Sequence, residues 1–116
     1  MTDINSNLVA QPIDENYRTI SGTYRFMGSL PKGTVTTSGT AVQLTATPTQ
    51  AKAIDIINPT SNADVLVIGD STVSYANGVG IPLEPGFTYH LVVTDLSKVW
   101  VDAKGNGYTF QTNYFW

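Results

Sequence analysis

From Tyr17 onward the apolar positions fall into short β-prone runs separated by Gly, Pro and Asn. Tyr17 to Phe26 is rich in Thr, Ile and aromatics, with Gly22 placed for a bulge. Thr34 to Thr37 and Ala41 to Thr47 flank a Ser38-Gly39 turn. Ala51 to Ile57 carries three β-branched residues, Ile54, Ile56 and Ile57, before Asn58-Pro59 stops it. Asp64 to Ile68 is continuously apolar after its first residue, the pattern of a central strand covered on both faces. Phe87 to Val93 alternates, with Phe87, Tyr89, Leu91 and Val93 on one face. Lys98 to Val101 sets Val99 and Val101 against Trp100, and Tyr108 to Trp116 carries Tyr108, Phe110 and Tyr114 on even positions. Asn77-Gly78 and Asn106-Gly107 are two turns able to adopt positive φ, while Gly78-Val79-Gly80 reads as loop. No segment has a helical period. The pattern predicts an all-β protein: an antiparallel β-sandwich or jelly roll of seven or eight strands over 17–116.

Residues 1 to about 16 show neither a period of 2 nor one of 3.6, and Pro12 interrupts the apolar patch Leu8-Val9-Ala10. They read as an extended N-terminal arm preceding a single domain. The apolar residues of this arm, Ile4, Leu8, Val9 and Ile13, together with Tyr17, are candidate partner contacts. Phe115 and Trp116 join them. Burying a large aromatic side chain stabilises by roughly 1.5–3 kcal/mol. Phe110, Phe115 and Trp116 are therefore expected to be largely buried, in the sandwich or under a partner.

Composition narrows the function. The chain has 116 residues, of which 41% are hydrophobic and only 13% charged. Thr, Ser, Asn and Gly stand where a helical protein would carry Glu, Lys and Arg. A net charge of -3 lacks the cation surplus needed to neutralise phosphates, so no nucleic-acid partner is expected. Cysteine is absent, which removes disulfides, thiolate nucleophiles and Cys-based zinc sites. No apolar run approaches the roughly 20 residues of a membrane span, and Met1 to Asn7 lacks the order of a signal peptide. The expectation is a soluble protein, made in a reducing compartment, with no membrane partner.

Candidate chemistry is sparse. Gly69-Asp70-Ser71 matches a block in which one hydrolase family carries its nucleophilic Ser. A base is required, and the single His, His90, has Phe87 where the orienting Asp would stand three residues earlier. A turn at a strand end explains the tripeptide equally. Asp70, Asp95 and Asp102 lie at strand ends and could converge on Ca²⁺, but no dedicated calcium loop is present. No catalytic residue, metal or cofactor is assigned, and the protein is expected not to be an enzyme. Asp95 can accept backbone N–H groups while Leu96 packs inward, forming a corner. Pro82, Pro85 and Gly86 stiffen a connection into the Phe87 strand.

Four blocks occur in order between Ile54 and Gly107: Ile-Ile-Asn-Pro (56–59), Val-Leu-Val-Ile-Gly-Asp-Ser-Thr-Val-Ser (65–74), Asn-Gly-Val-Gly-Ile-Pro-Leu-Glu-Pro-Gly (77–86) and Asp-Leu-Ser-Lys-Val-Trp-Val-Asp-Ala (95–103). This order resembles small structural proteins encoded among the head and tail genes of tailed bacteriophages, over about half the chain. The resemblance implies a virion protein assembled in the bacterial host cytoplasm: a capsid decoration subunit, head fibre or tail accessory. Its expected partners are the major capsid protein or other virion subunits, and a homotrimer or homodimer. The alternative is a fibre or tail domain that binds a host-surface carbohydrate, with Tyr75, Trp100 and Trp116 as stacking faces.

Overall fold

The structure is a computed structural model, and it describes residues 26–116. Nine strands are present among these residues: β1 (Met27–Ser29), β2 (Gly33–Val35), β3 (Val42–Gln43), β4 (Ala53–Ile57), β5 (Leu66–Gly69), β6 (Ile81–Leu83), β7 (Thr88–Leu91), β8 (Trp100–Ala103) and β9 (Tyr108–Phe115). A single 3₁₀ turn, Leu96–Lys98, precedes β8. The first sheet runs β1-β9-β4-β7, with β2 also on β9, and the second runs β3-β8-β5-β6. Every strand pair is antiparallel. The all-β sandwich expected from the hydrophobic pattern is the observed architecture.

Two apolar clusters fill the space between the sheets. One joins Ile54 and Ile56 of β4 to Ile68, Leu83, Leu96 and Val99. The other joins Val35 and Phe110 to Leu66, Val101 and Ala103, and Leu44 packs against both. Leu66, Val67 and Ile68 are all buried, as the unbroken apolar run of β5 requires. In β7, Tyr89 and Leu91 face the core, and Val93 beyond the strand packs there too. Phe87 departs from the expected face. It lies just before β7, its N–H donates to Glu84 O across a turn, and 63% of its surface is exposed.

The sequence reading placed no strand at β1, just beyond its Tyr17–Phe26 run, nor at β6, where Pro82 cannot donate to a ladder. Pro82 sits opposite Val67 on the outermost strand of the second sheet, where its missing N–H costs nothing. β9 is the longest strand and carries β1 and β2 along one side. The register moves by one residue between Ser29↔Asn113 and Gly33↔Phe110, so Leu30, Pro31 and Lys32 bulge opposite Gln111 and Thr112. Gly28 and Gly33 lie directly across from Tyr114 and Phe110, whose rings occupy the space a Cβ would need.

The sandwich also holds a buried polar relay. The side-chain amide of Asn58 donates to Leu83 O at 2.7 Å and to Asp64 O at 3.2 Å. Its oxygen accepts from Asn62 Nδ2 at 2.7 Å, and Asn62 in turn exchanges hydrogen bonds with the backbone of Thr109. Thr112 is the contrast: its hydroxyl is buried on the core face of β9 with no hydrogen-bond partner among the described residues. A buried polar group left unpaired costs about 1–3 kcal/mol. Thr112→Val keeps the shape and removes the hydroxyl, so it should raise stability by about 1 kcal/mol in denaturant unfolding. Asn58→Ala should lower it by roughly 2–4 kcal/mol, since three partners lose their bonds in the interior. Equal and small effects of both would show that the interior is wet rather than packed.

Candidate docking surface

Among the described residues, large exposed apolar side chains gather where β1 and the end of β9 meet. The pairing continues past β1, with Phe26 and Trp116 exchanging both backbone hydrogen bonds, at 2.9 and 3.1 Å. Phe26 and Trp116 therefore share one side of the sheet with Tyr114. The Tyr114 and Trp116 rings stack at 5.1 Å, and Phe26 lies 5.6 Å from Trp116. On the opposite side, Met27 pairs with Phe115, and Phe115 lies 6.4 Å from the His90 ring. Phe26 is 57% exposed, Met27 60% and Trp116 39%. The aromatic strip thus wraps the corner of the first sheet.

This arrangement sorts the candidate residues. Phe110 is buried at 3% exposure in the second cluster, and Phe115 is half-buried. Trp116 keeps 39% of its surface exposed, and its ring neighbours among the described residues are Tyr114 and Phe26, so the burial expected of it is incomplete there. Ile4, Leu8, Val9, Ile13 and Tyr17 lie outside the described residues, as does nearly all of the run 17–26. Of the three proposed stacking residues, Trp100 alternates with buried Val99 and Val101 and so faces the outside of the second sheet. Tyr75 lies on that side too, with its N–H on Asp102. Trp116 belongs to the first sheet, so the three do not form one platform.

A polar row that sequence reasoning did not find crosses the outer face of the first sheet. Ser29, Asn113, Asp55 and His90 are successive cross-strand partners on β1, β9, β4 and β7. Ser29 Oγ donates to Asn113 Oδ1 at 2.7 Å, and His90 Nδ1 lies 2.6 Å from Asp55 Oδ1. The sequence separates His90 from Asp55 by 35 positions, so only the strand pairing reveals the couple. Three strand spacings of about 4.8 Å part Ser29 from His90, roughly 14 Å, too far for proton transfer between them. Gly69-Asp70-Ser71 ends β5 in the other sheet and does not meet His90.

The aspartates at the strand ends serve their own loops. Asp70 Oδ1 accepts from the N–H and hydroxyl of Thr72, closing a turn. Asp95 caps the 3₁₀ turn, accepting from Ser97 N at 2.9 Å, Ser97 Oγ at 2.8 Å and Thr49 N at 3.1 Å, while Leu96 is fully buried. Asp102, also fully buried, accepts from Gly39 N and Tyr75 N, both at 2.9 Å, and so pins two loops over the second sheet. The described residues contain no group of three potential metal ligands. Hydrogen bonds from Ser97 and Thr49 hold Asp95 below the ordinary carboxylate value of 3.8, and those from Thr72 do the same for Asp70. The Lys104 ammonium, 2.7 Å away, lowers Asp64 and is itself pushed up.

A carboxyl with a lowered folded pKa contributes stability that is present above its unfolded value and is lost as pH falls through the folded one. Stability should therefore decline below about pH 4, and Asp95→Ala should lower it at neutral pH while flattening that decline. Thermal unfolding between pH 2 and pH 7 checks this; parallel curves for the two proteins would remove Asp95 from the account.

Comparison of the chain with models of known protein families, with curated proteins and with solved structures finds no match to any of them.

Proposed function

We propose that this protein is a non-enzymatic structural subunit of a virion, most simply a capsid decoration protein that docks on assembled coat subunits. The corner formed by exposed Phe26, Met27 and Trp116 beside half-buried Phe115 carries the reading. Soluble domains rarely leave several large apolar side chains together in water unless a partner covers them. Support also comes from the resemblance of the blocks between Ile56 and Ala103 to virion structural proteins, and from the low charge of the chain. The N-terminal 25 residues join the domain at Phe26, inside the corner, so contacts from Ile4, Leu8, Val9, Ile13 and Tyr17 would extend the same interface. An extended segment gains area by adding to a neighbour's sheet.

Co-sedimentation with empty capsids tests the proposal. Phe26→Ser combined with Trp116→Ser should leave the melting temperature nearly unchanged, because both rings are more than a third exposed, and should abolish co-sedimentation. Removing residues 1–14 should weaken binding with little effect on melting. Retained binding in both variants would overturn the assignment, and a glycan-array signal lost in the first variant would favour the carbohydrate-binding alternative.

The same corner supports self-association as a dimer or trimer on a symmetry axis of the coat. Light scattering should give a mass above that of one chain, free or docked; a monomer in both states would exclude it.

A further inference from the structure

We propose that Asn77 is a site of spontaneous deamidation and isoaspartate formation in the folded protein, whereas Asn106, in the same dipeptide, is protected by the fold. The two Asn-Gly turns share their local chemistry. A glycine following asparagine leaves the backbone nitrogen unhindered and flexible enough to reach the side-chain carbonyl. Gly78 and Gly107 both adopt left-handed φ, 69° and 74°, and a Cβ at either would meet nothing within 4 Å. Intrinsic reactivity therefore does not separate them.

Tertiary contacts do. Asn106 Oδ1 accepts a 2.8 Å hydrogen bond from Ser38 N, which fixes the amide that must rotate toward its neighbour. The nucleophile is held as well, because Gly107 N donates to Val35 O at 2.8 Å and is shared with Thr36 O at 3.3 Å. Attack at Asn106 would require the contacts to Val35, Thr36 and Ser38 to open together. Asn77 is exposed, and among the described residues only its backbone N–H is engaged, by Ser74 Oγ at 3.2 Å. Gly78 N donates to Tyr75 O at 3.1 Å, a bond within the same four-residue turn that fraying of the hairpin releases.

In the reaction, Gly78 N gives up its proton to a solvent base and bonds to Asn77 Cγ. The Cγ–Nδ2 bond breaks, and ammonia leaves after taking up a proton. Water then opens the succinimide at either carbonyl, giving aspartate or, with the chain rerouted through the side chain, isoaspartate. The net change is uptake of one water and loss of one ammonia. Each event adds one negative charge at neutral pH. Isoaspartate also inserts a methylene into the hairpin backbone, between the reciprocal Ser74–Val79 hydrogen bonds that brace Tyr75 over buried Asp102. The site thus couples the age of the molecule to the order of this loop.

Intact protein aged in warm, mildly alkaline buffer, then mapped by mass spectrometry with fragmentation that distinguishes isoaspartate from aspartate, tests the proposal. Conversion at Asn77 should run several-fold faster than at Asn106 in the folded protein, and the rates should become similar in urea. Equal rates in the folded state, a faster Asn106, or an Asn77 that converts only in urea would overturn it. Hydrogen exchange at the Tyr75 amide should be faster in the isoaspartate product than in Asn77→Asp, which carries the charge without the added methylene. Equal protection in the two would overturn the coupling to the loop.

Discussion

The sandwich depends on one buried side chain, Asn58, which stands where β4 leaves the first sheet. Its amide reaches Leu83 O on the edge of the second sheet, and its oxygen takes the Asn62 amide that continues to Thr109 on β9. Its own backbone takes part as well: Asn58 N donates to Phe87 O, and its carbonyl accepts from Gly86 N. A hydrophobic residue here would fill the space but take the side-chain donor from the carbonyls of Leu83 and Asp64 and the acceptor from the Asn62 amide. That desolvation penalty exceeds what the added apolar burial returns. The polar relay therefore fixes how the two sheets are offset, which hydrophobic packing alone leaves loosely specified. At the end of β9, Tyr114 packs against the core while Trp116, two residues on, stays partly exposed.

A second constraint is the shortage of charge. All five aspartates among the described residues have assigned work: Asp70, Asp95 and Asp102 hold backbone N–H groups, Asp64 holds Val65 N and Lys104, and Asp55 meets His90. Loops of a small β-protein expose many donors that no ladder satisfies. Here carboxylates supply the acceptors, which explains why chain connections with so few charged residues stay ordered. Asp102 is the extreme case, since a fully buried carboxylate is tolerated only when strong donors face both oxygens.

The sequence made the strands legible wherever one residue type dominated. The unbroken Val65–Ile68 run predicted a doubly covered strand, and the alternation in Phe87–Val93 predicted the inward set correctly at Tyr89, Leu91 and Val93. The corner at Asp95 and Leu96 was legible for the same reason: short-range chemistry decides it. Features set by distant partners were not. Asn58-Pro59 read only as a stop, because Asn62 finds its backbone partner 47 positions away at Thr109. Pro82 argued against a strand until the topology placed it on an edge. The candidate surface was half legible. Its aromatics stood out as a group, but how much of Trp116 stays exposed depends on tertiary neighbours that the local pattern does not encode.

That limit bears on how the surface works. With the described aspartates engaged by loops, by Lys104 and by His90, the outer faces offer mainly hydroxyls, amides and the aromatic strip. Association through such a surface draws on apolar burial and backbone pairing rather than on long-range attraction, so it should form slowly but persist at salt concentrations that dissolve charge-driven contacts.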